Sequence, residues 1–379
     1  MSLDKLFDAM IQTDASDLYL TVGSAPTLRI NEAMTPQGSP LTFEHLTSIV
    51  ETLLNARQLE EFHRTMELNI AYRWGTEGRF RMNFFYQQQM PGVVIRRIRT
   101  VIPTAEQLGL PPIYTQTVME KRGLVLLVGP TGSGKSSSLA AMLHHRNLHG
   151  SGHVITIEDP IEFVHDSKNC LFTQREVGLD TGSFGAALKN TLRQRPDIVL
   201  IGEIRDEETM DHAITFSETG HLCLATLHAS NANQAIERIL SFFTPEKQRQ
   251  LLLNLSLNLK AIMSQRLLPT LQGGRCVAVE ILLNKGVIRQ YIQEGKIREI
   301  KEAVSKQRDE GMQTFDQALI DLYIQGLISE EQAIAEADNP TDLKLKLRTS
   351  GSTPKPPQAA QAAGMTPAHI NALMPTFRS

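Results

Sequence analysis

The 379-residue chain lacks most of the features that commit a protein to a special environment. Its 38 Lys and Arg almost offset its 41 Asp and Glu, and the resulting −3 points to neither a nucleic-acid coat nor an acidic tail protein. The three cysteines, Cys170, Cys223 and Cys276, stand more than fifty residues apart. That spacing excludes a C-x-x-C zinc ribbon, argues against a disulfide framework and fits a reducing compartment. No apolar run approaches the ~20 residues that a helix needs to cross a bilayer; the most apolar, Leu124 to Val128, is a handful of residues long. The opening MSLDKLFDAMIQTDASD carries Asp4, Asp8, Asp14 and Asp17 where a secretory signal has a basic start and an apolar core. Together these absences predict a soluble, cytoplasmic protein with no transmembrane segment. No internal repeat is present.

What remains is an ordinary globular composition, 41% apolar, long enough for two or three domains at about 150 residues each. Residues 1–100 read as a small α/β domain: SDLYLTV, TLRIN, RFRMNFFY and VVIRRIR as strands of an antiparallel sheet, and Thr42 to Glu61 as one helix with Leu46, Ile49, Val50, Leu53 and Leu54 on one face. Pro103, Gly109, Pro111 and Pro112 then break both periodicities and predict a linker over 101–112. From 113 to 272 short apolar runs alternate with helices, the pattern of a parallel sheet buried on both faces. One strand, CVAVEILL, and several helices occupy 273–347. Residues 348–379, rich in Ser, Pro, Ala and Gln, predict a flexible tail.

The strongest chemical signal is GPTGSGKS, Gly129 to Ser136, which satisfies G-x-x-x-x-G-K-[ST] between the strand GLVLLVG and a helix. Gly129, Pro130, Thr131, Gly132, Ser133 and Gly134 would wrap backbone N–H groups around phosphates, with Ser137 following on the helix. Lys135 would reach the β- and γ-phosphates and the Ser136 hydroxyl would ligate Mg²⁺. The next strand ends in ITIEDPIEF with Glu158, Asp159 and Glu162, carboxylates able to polarise a water or hold a metal's water shell, or simply to solvate a turn. DIVLIGEIRD ends in Gly202-Glu203; Gly202 stands where many P-loop ATPases place a metal-binding Asp, which leaves Glu203 an indirect metal role at most. GHLCLATLH places His221 and His228 at its two ends, at a spacing unsuited to a zinc pair on one helix face. His228, at the carboxyl end, is a candidate γ-phosphate sensor.

Arg79, Arg81, Arg96, Arg97 and Arg99 fall in a stretch with no acidic residue, so their charge is locally uncompensated in sequence. On strand alternation Arg79 and Arg81 share one face, Arg97 and Arg99 another, and Arg96 the opposite one. They read either as a solvated face or as cations that neutralise phosphate across a domain or subunit boundary.

In this order GPTGSGKS, ITIEDPIEFVH, LIGEIRD and GHLCLATLH resemble the Walker A, Asp box, Walker B and His box of the secretion-type ATPases, the GspE/PilT superfamily of type II secretion and type IV pili. The resemblance runs from ASDLYL through GMQTFDQAL and GLIS, roughly the first 340 residues. The long N-terminal extension and tetracysteine insert of the assembly ATPases are lacking, so the likeness is to the pilus retraction branch. The segment GVIRQYIQEGK, 286–296, matches the AIRNLIRE run of the principal retraction motors at Ile288, Arg289, Ile292 and Glu294 and departs from it at Val287, Gln290, Tyr291 and Gln293. With the tail, those departures resemble the PilU-type accessory ATPases.

The resemblance implies a PAS-like N-terminal domain and a RecA-like P-loop NTPase core with C-terminal helices, assembled as a homo-hexamer that hydrolyses ATP with Mg²⁺. It implies Glu162 as the catalytic carboxylate, Glu203 as the Walker B glutamate and His228 as the His-box residue, with the arginines implicated only as a group. Its implied partners are a PilT-type retraction ATPase and the inner-membrane pilus platform, at the cytoplasmic face of the inner membrane. The principal retraction motor and a nucleotide-binding structural subunit of little turnover stay open as alternatives. Nucleic acid is not an expected partner, since no RNA- or DNA-binding module follows the core.

Overall fold

The structure is a computed structural model and describes residues 2–30, 33–75, 78–98 and 101–349. The chain forms two compact units, Met1–Val101 with Glu162–Val164, and Ile102–Ile161 with the chain from His165 onward.

The first unit runs α1 (Leu3–Gln12), β1 (Asp17–Thr21), β2 (Thr27–Ile30), β3 (Ala33–Pro36), α2 (Phe43–Leu53), α3 (Ala56–Thr65), β4 (Glu67–Trp74), β5 (Gly78–Gln87) and β6 (Met90–Ile98). Its six strands form an antiparallel sheet in the order β3-β2-β1-β6-β5-β4. Alternation in β5 buries Phe80, Met82 and Phe84 in a core shared with Leu6, Phe7 and Met10 of α1. The single helix expected over Thr42–Glu61 is instead two. Leu54 adopts extended backbone, and the Asn55 side chain accepts from Gln58 N while the Gln58 side chain accepts from Asn55 N, a reciprocal cap that starts α3 afresh.

The second unit contains α4 (Ile113–Val118), β7 (Gly123–Val128), α5 (Lys135–His149), β8 (Gly152–Glu158), β9 (Cys170–Glu176), α6 (Phe184–Thr191), β10 (Ile198–Ile201), α7 (Glu207–Glu218), β11 (Leu222–Leu227), α8 (Ala232–Ser241), α9 (Pro245–Asn258), β12 (Leu259–Pro269) and β13 (Arg275–Leu283). Five further helices follow: α10 (Gly286–Glu294), α11 (Ile297–Ser305), α12 (Phe315–Ile324), α13 (Glu330–Glu336) and α14 (Pro340–Thr349). The sheet order is β13-β12-β7-β11-β10-β8-β9, parallel throughout except for the antiparallel pair of β12 and β13. Every residue of β7, β10 and β11 is buried, as a parallel sheet covered on both faces requires. Ala105, Leu108 and Leu110 pack into this unit's core. A smaller core, including Phe315, Leu319, Ala333, Leu343 and Leu347, gathers the C-terminal helices against Leu268 and Ala278. Both units are α/β, as the sequence predicts. The tail expected from residue 348 lies, beyond Thr349, outside the described residues.

Candidate nucleotide site

In a parallel sheet, loops leaving the carboxyl ends of the strands share one edge, and that edge is where ligands bind in doubly wound folds. The sequence-predicted segments of the second unit all leave from it: GPTGSGKS from β7, Glu158 and Asp159 from β8, Gly202-Glu203 from β10 and His228 from β11. The parallel register sets Leu227 beside Val128, and Ile201 beside both Ile157 and Ala225.

The loop after β7 works through its glycines. Gly132 and Gly134 have φ of 78° and 89°, which favours residues without a side chain. Gly129 lies so close to its neighbours that a Cβ would stand 2.6 Å from the Gln265 carbonyl and 2.5 Å from Ser133 Oγ. Lys135, the first residue of α5, is buried, and its ammonium donates to the carbonyls of Gly129 at 2.8 Å and Pro130 at 2.9 Å. The hydroxyls of Ser133 and Ser137 are buried with no hydrogen-bond partner among the described residues, and Ser136 is half-buried at the start of the helix. Backbone N–H groups at a helix N-terminus, orphaned hydroxyls and one lysine make a donor-rich cradle suited to phosphate oxygens. Beside it Pro130, Thr131, Gly132 and Ser133 line a cleft of about 350 Å³, faced by Ser230, Arg266 and Glu336.

Beyond β10 the charges interlock. Glu203 receives Arg205 Nε at 2.7 Å and has His228 Nε2 at 3.3 Å, and Arg205 also reaches Asp159 at 3.7 Å. The glycine at 202 has a steric reason. A Cβ there would sit 3.1 Å from both Glu158 Cα and the Ile157 carbonyl, so an aspartate would crowd the end of β8. The Gly202 carbonyl is held by the Thr226 hydroxyl and its N–H by the Ile157 carbonyl at 2.8 Å. His221, by contrast, is a structural residue: its Nδ1 lies 3.0 Å from Thr219 Oγ1 and 3.1 Å from the Phe216 carbonyl.

Glu162 is half-buried and belongs, with Phe163 and Val164, to the first compact unit. The turn just before it is fixed by a residue that sequence reading passed over. Glu176, buried at the end of β9, accepts from Ile161 N at 3.1 Å, while Gln174 on the same strand accepts from His165 N at 2.8 Å. β9 looks polar in sequence because it is an edge strand, which is why CLFTQRE gave no strand signal.

The arginines described lie in the first unit, with Arg79 and Arg81 on one face and Arg96 and Arg97 on opposite faces of their strand, as alternation predicts. Antiparallel pairing sets Arg81 opposite Arg96 and Arg79 opposite Ile98, so Arg79, Arg81 and Arg96 share a face, while Arg97 stands opposite Phe80. The run that lacks local acids is compensated in the fold: Arg96 Nε bonds Asp17 at 2.9 Å and Arg97 bonds Asp14 at 2.8 Å, carboxylates some eighty positions away in the chain. Arg99 lies outside the described residues.

Strand, glycine-rich turn and helix at the carboxyl edge of a doubly wound sheet are the architecture of a P-loop protein. Residues 3–353 match the family described as Type II/IV secretion system protein. The chain belongs to that family. It is 49% identical over 350 residues to the type IV pilus ATPase PilU of Pseudomonas aeruginosa, with 92% of each chain covered. It is 39% identical to the type IV pilus retraction ATPase PilT of the same organism, over 90% of this chain and 99% of that one. The crystal structure of the pilus retraction motor PilT with bound ADP superposes with a TM-score of 0.85 at 36% identity, covering 91% of this chain and 99% of that one. Among the described residues no helix is long and apolar enough to cross a membrane.

Proposed function

We propose that this chain is a PilU-like ATPase that assists type IV pilus retraction and so twitching motility. The observation that carries the assignment is the 49% identity to PilU spread over 92% of both chains. The P-loop cradle and the Glu203–His228 pair on neighbouring strand ends support ATP as the substrate.

In this reading Gly129 to Gly134 and Lys135 hold the phosphates, with Ser137 in the first turn of the helix. Mg²⁺, held by Ser136 and backed indirectly by Glu203, supplies electrostatic neutralisation of the phosphate oxygens. Glu162 polarises the attacking water. Glu203 and His228 report the nucleotide state to the rest of the ring, and arginines among Arg79, Arg81, Arg96, Arg97 and Arg99 add positive charge at the phosphates. Little covalent work falls to the protein in phosphoryl transfer, so positioning and charge carry the rate. We take the working form to be a homo-hexamer at the cytoplasmic face of the inner membrane, engaging a PilT-type ATPase and the pilus platform. Residues 286–296, where Val287, Gln290, Tyr291 and Gln293 depart from the run of the principal motors, favour the accessory role.

Lys135→Ala and Glu162→Ala are each expected to lower steady-state ATP turnover by about 10²-fold or more. A purified variant of either kind turning over at the parent's rate would refute the assignment. In a twitching host, loss of this gene with the other retraction ATPase intact is expected to weaken retraction. Complete loss would instead make this chain the principal motor, and an inert parent ATPase would make it a structural subunit.

A further inference from the structure

Glu280 is a carboxylate in the middle of β13, an edge strand of the second sheet, yet it is only 4% exposed and is flanked by Val279 and Ile281. It stands opposite Ser264 of β12. Its Oε2 accepts from the Ser264 hydroxyl at 2.9 Å and from the backbone N–H of Ala232 at 2.7 Å. Ala232 is the first residue of α8, and the N-cap of that helix, Asn231, accepts from Gln234 N at 2.9 Å. Two of the donors that a helix start leaves unpaired are thus taken, one locally and one by a strand 48 residues later. An apolar side chain fills such an interior at far lower desolvation cost than a carboxylate. What the carboxylate adds is direction: it fixes one N–H at a single point.

That point closes a short loop. Between Leu227, locked in parallel register beside Val128, and Ala232, tied to β13, lie only His228, Ala229, Ser230 and Asn231. His228 meets Glu203 at 3.3 Å, and Ser230 lines the cleft with Pro130 to Ser133. With both ends fixed and four residues between, where the His228 ring sits follows from where the two posts stand.

We infer that Glu280 is a positioning residue for ATP hydrolysis, setting His228 against Glu203 by anchoring the first turn of α8. This rests on the ATPase reading above. The side chain touches neither the cleft nor the phosphate loop in the contacts described, so its effect passes through the His228 loop.

The test compares the full-length parent with Glu280→Asp, Glu280→Gln, His228→Ala and Glu280→Asp/His228→Ala in steady-state ATPase assays. Aspartate keeps the charge but withdraws the oxygen by one methylene, about the displacement that costs ~10- to 100-fold in rate. The expected result is a fall of that order in kcat, with KM for ATP changed by less than about threefold. Glu280→Gln, whose amide oxygen can accept both hydrogen bonds, is expected to restore most of the rate. The double variant is expected to be no slower than His228→Ala alone, because the second change acts through a ring already removed.

Parental kcat in Glu280→Asp would overturn the inference. So would a double variant slowed by the product of the two single effects, or a loss shared equally by Gln and Asp. A parent that hydrolyses no ATP refutes the ATPase reading instead. Hydrogen exchange across residues 228–233 then decides the anchoring by itself: faster exchange in Glu280→Asp than in the parent supports it, and equal rates overturn it.

Discussion

His165 offers a quantitative test of how the second unit is built. Its ring is buried and stacks on Phe172 with centroids 4.6 Å apart and planes 5° from parallel, and its Nδ1 has no hydrogen-bond partner among the described residues. Burial, reinforced by the positive charge of His144 when that residue is protonated, pushes its pKa down to about 3. Its neighbours offer no relief: His144 is itself held low by burial and by Lys168, His145 and His149.

An unfolded histidine titrates near ~6.5, so between that pH and about 3 the unfolded chain binds a proton that the fold refuses. Stability is therefore full above the unfolded value and falls as pH drops. Linkage gives a loss of roughly 2 kcal/mol at pH 5 relative to pH 7.5, and raising the folded value by a unit changes this by only about 0.1 kcal/mol. His165→Phe keeps the stack and removes the titration. Urea unfolding of the full chain and variant at both pH values checks it: the parent's stability relative to the variant is expected to fall by about 2 kcal/mol between pH 7.5 and 5. A difference under about 0.5 kcal/mol would mean that the ring finds its proton at little cost, and the burial argument would be wrong.

Two further outcomes follow from packing and charge. Asp338 bonds Arg266 at 2.7 Å and Lys301 at 2.8 Å; burial alone would raise its carboxyl, but the two cations hold it below the ordinary value. Asp338→Asn is expected to cost about 2 kcal/mol at neutral pH, part of the cost of breaking a fully buried pair. Because the folded pKa is the depressed one, that gap between parent and variant should close as pH falls below about 4, and a gap unchanged at pH 3 would refute the pairing. Gly202→Ala forces a Cβ to 3.1 Å from the end of β8 and is expected to destabilise by about 1–3 kcal/mol, seen as a lower urea midpoint. An unchanged midpoint would show that β8 yields.

The phosphate loop and four of the strands that present the site were legible because their signals are local. GPTGSGKS is contiguous, and β7, β8, β10 and β11 are short apolar runs between turn residues. β12 escaped because α9 runs into it without a break and because Ser264, Gln265 and Arg266 put three polar groups in mid-strand. Each has a partner far away in sequence: Ser264 has Glu280, Gln265 donates to Ser138 Oγ at 2.7 Å, and Arg266 holds Asp338. The same distance hid the Asp14 and Asp17 partners of Arg97 and Arg96. Periodicity reads one strand at a time, and these groups acquire meaning only once strands are laid side by side.

The strand order carries one more implication. β11 lies between β7 and β10, so the phosphate loop and Glu203 depart from posts two strand spacings apart, roughly 10 Å. Hydrogen-bonded ladders on both sides of β11 make that gap a unit of lattice rather than an adjustable length. The backbone therefore acts as a ruler with fixed graduations. In relatives that keep this order the spacing is a constant, and the side chains that reach inward from the two marks must span what remains.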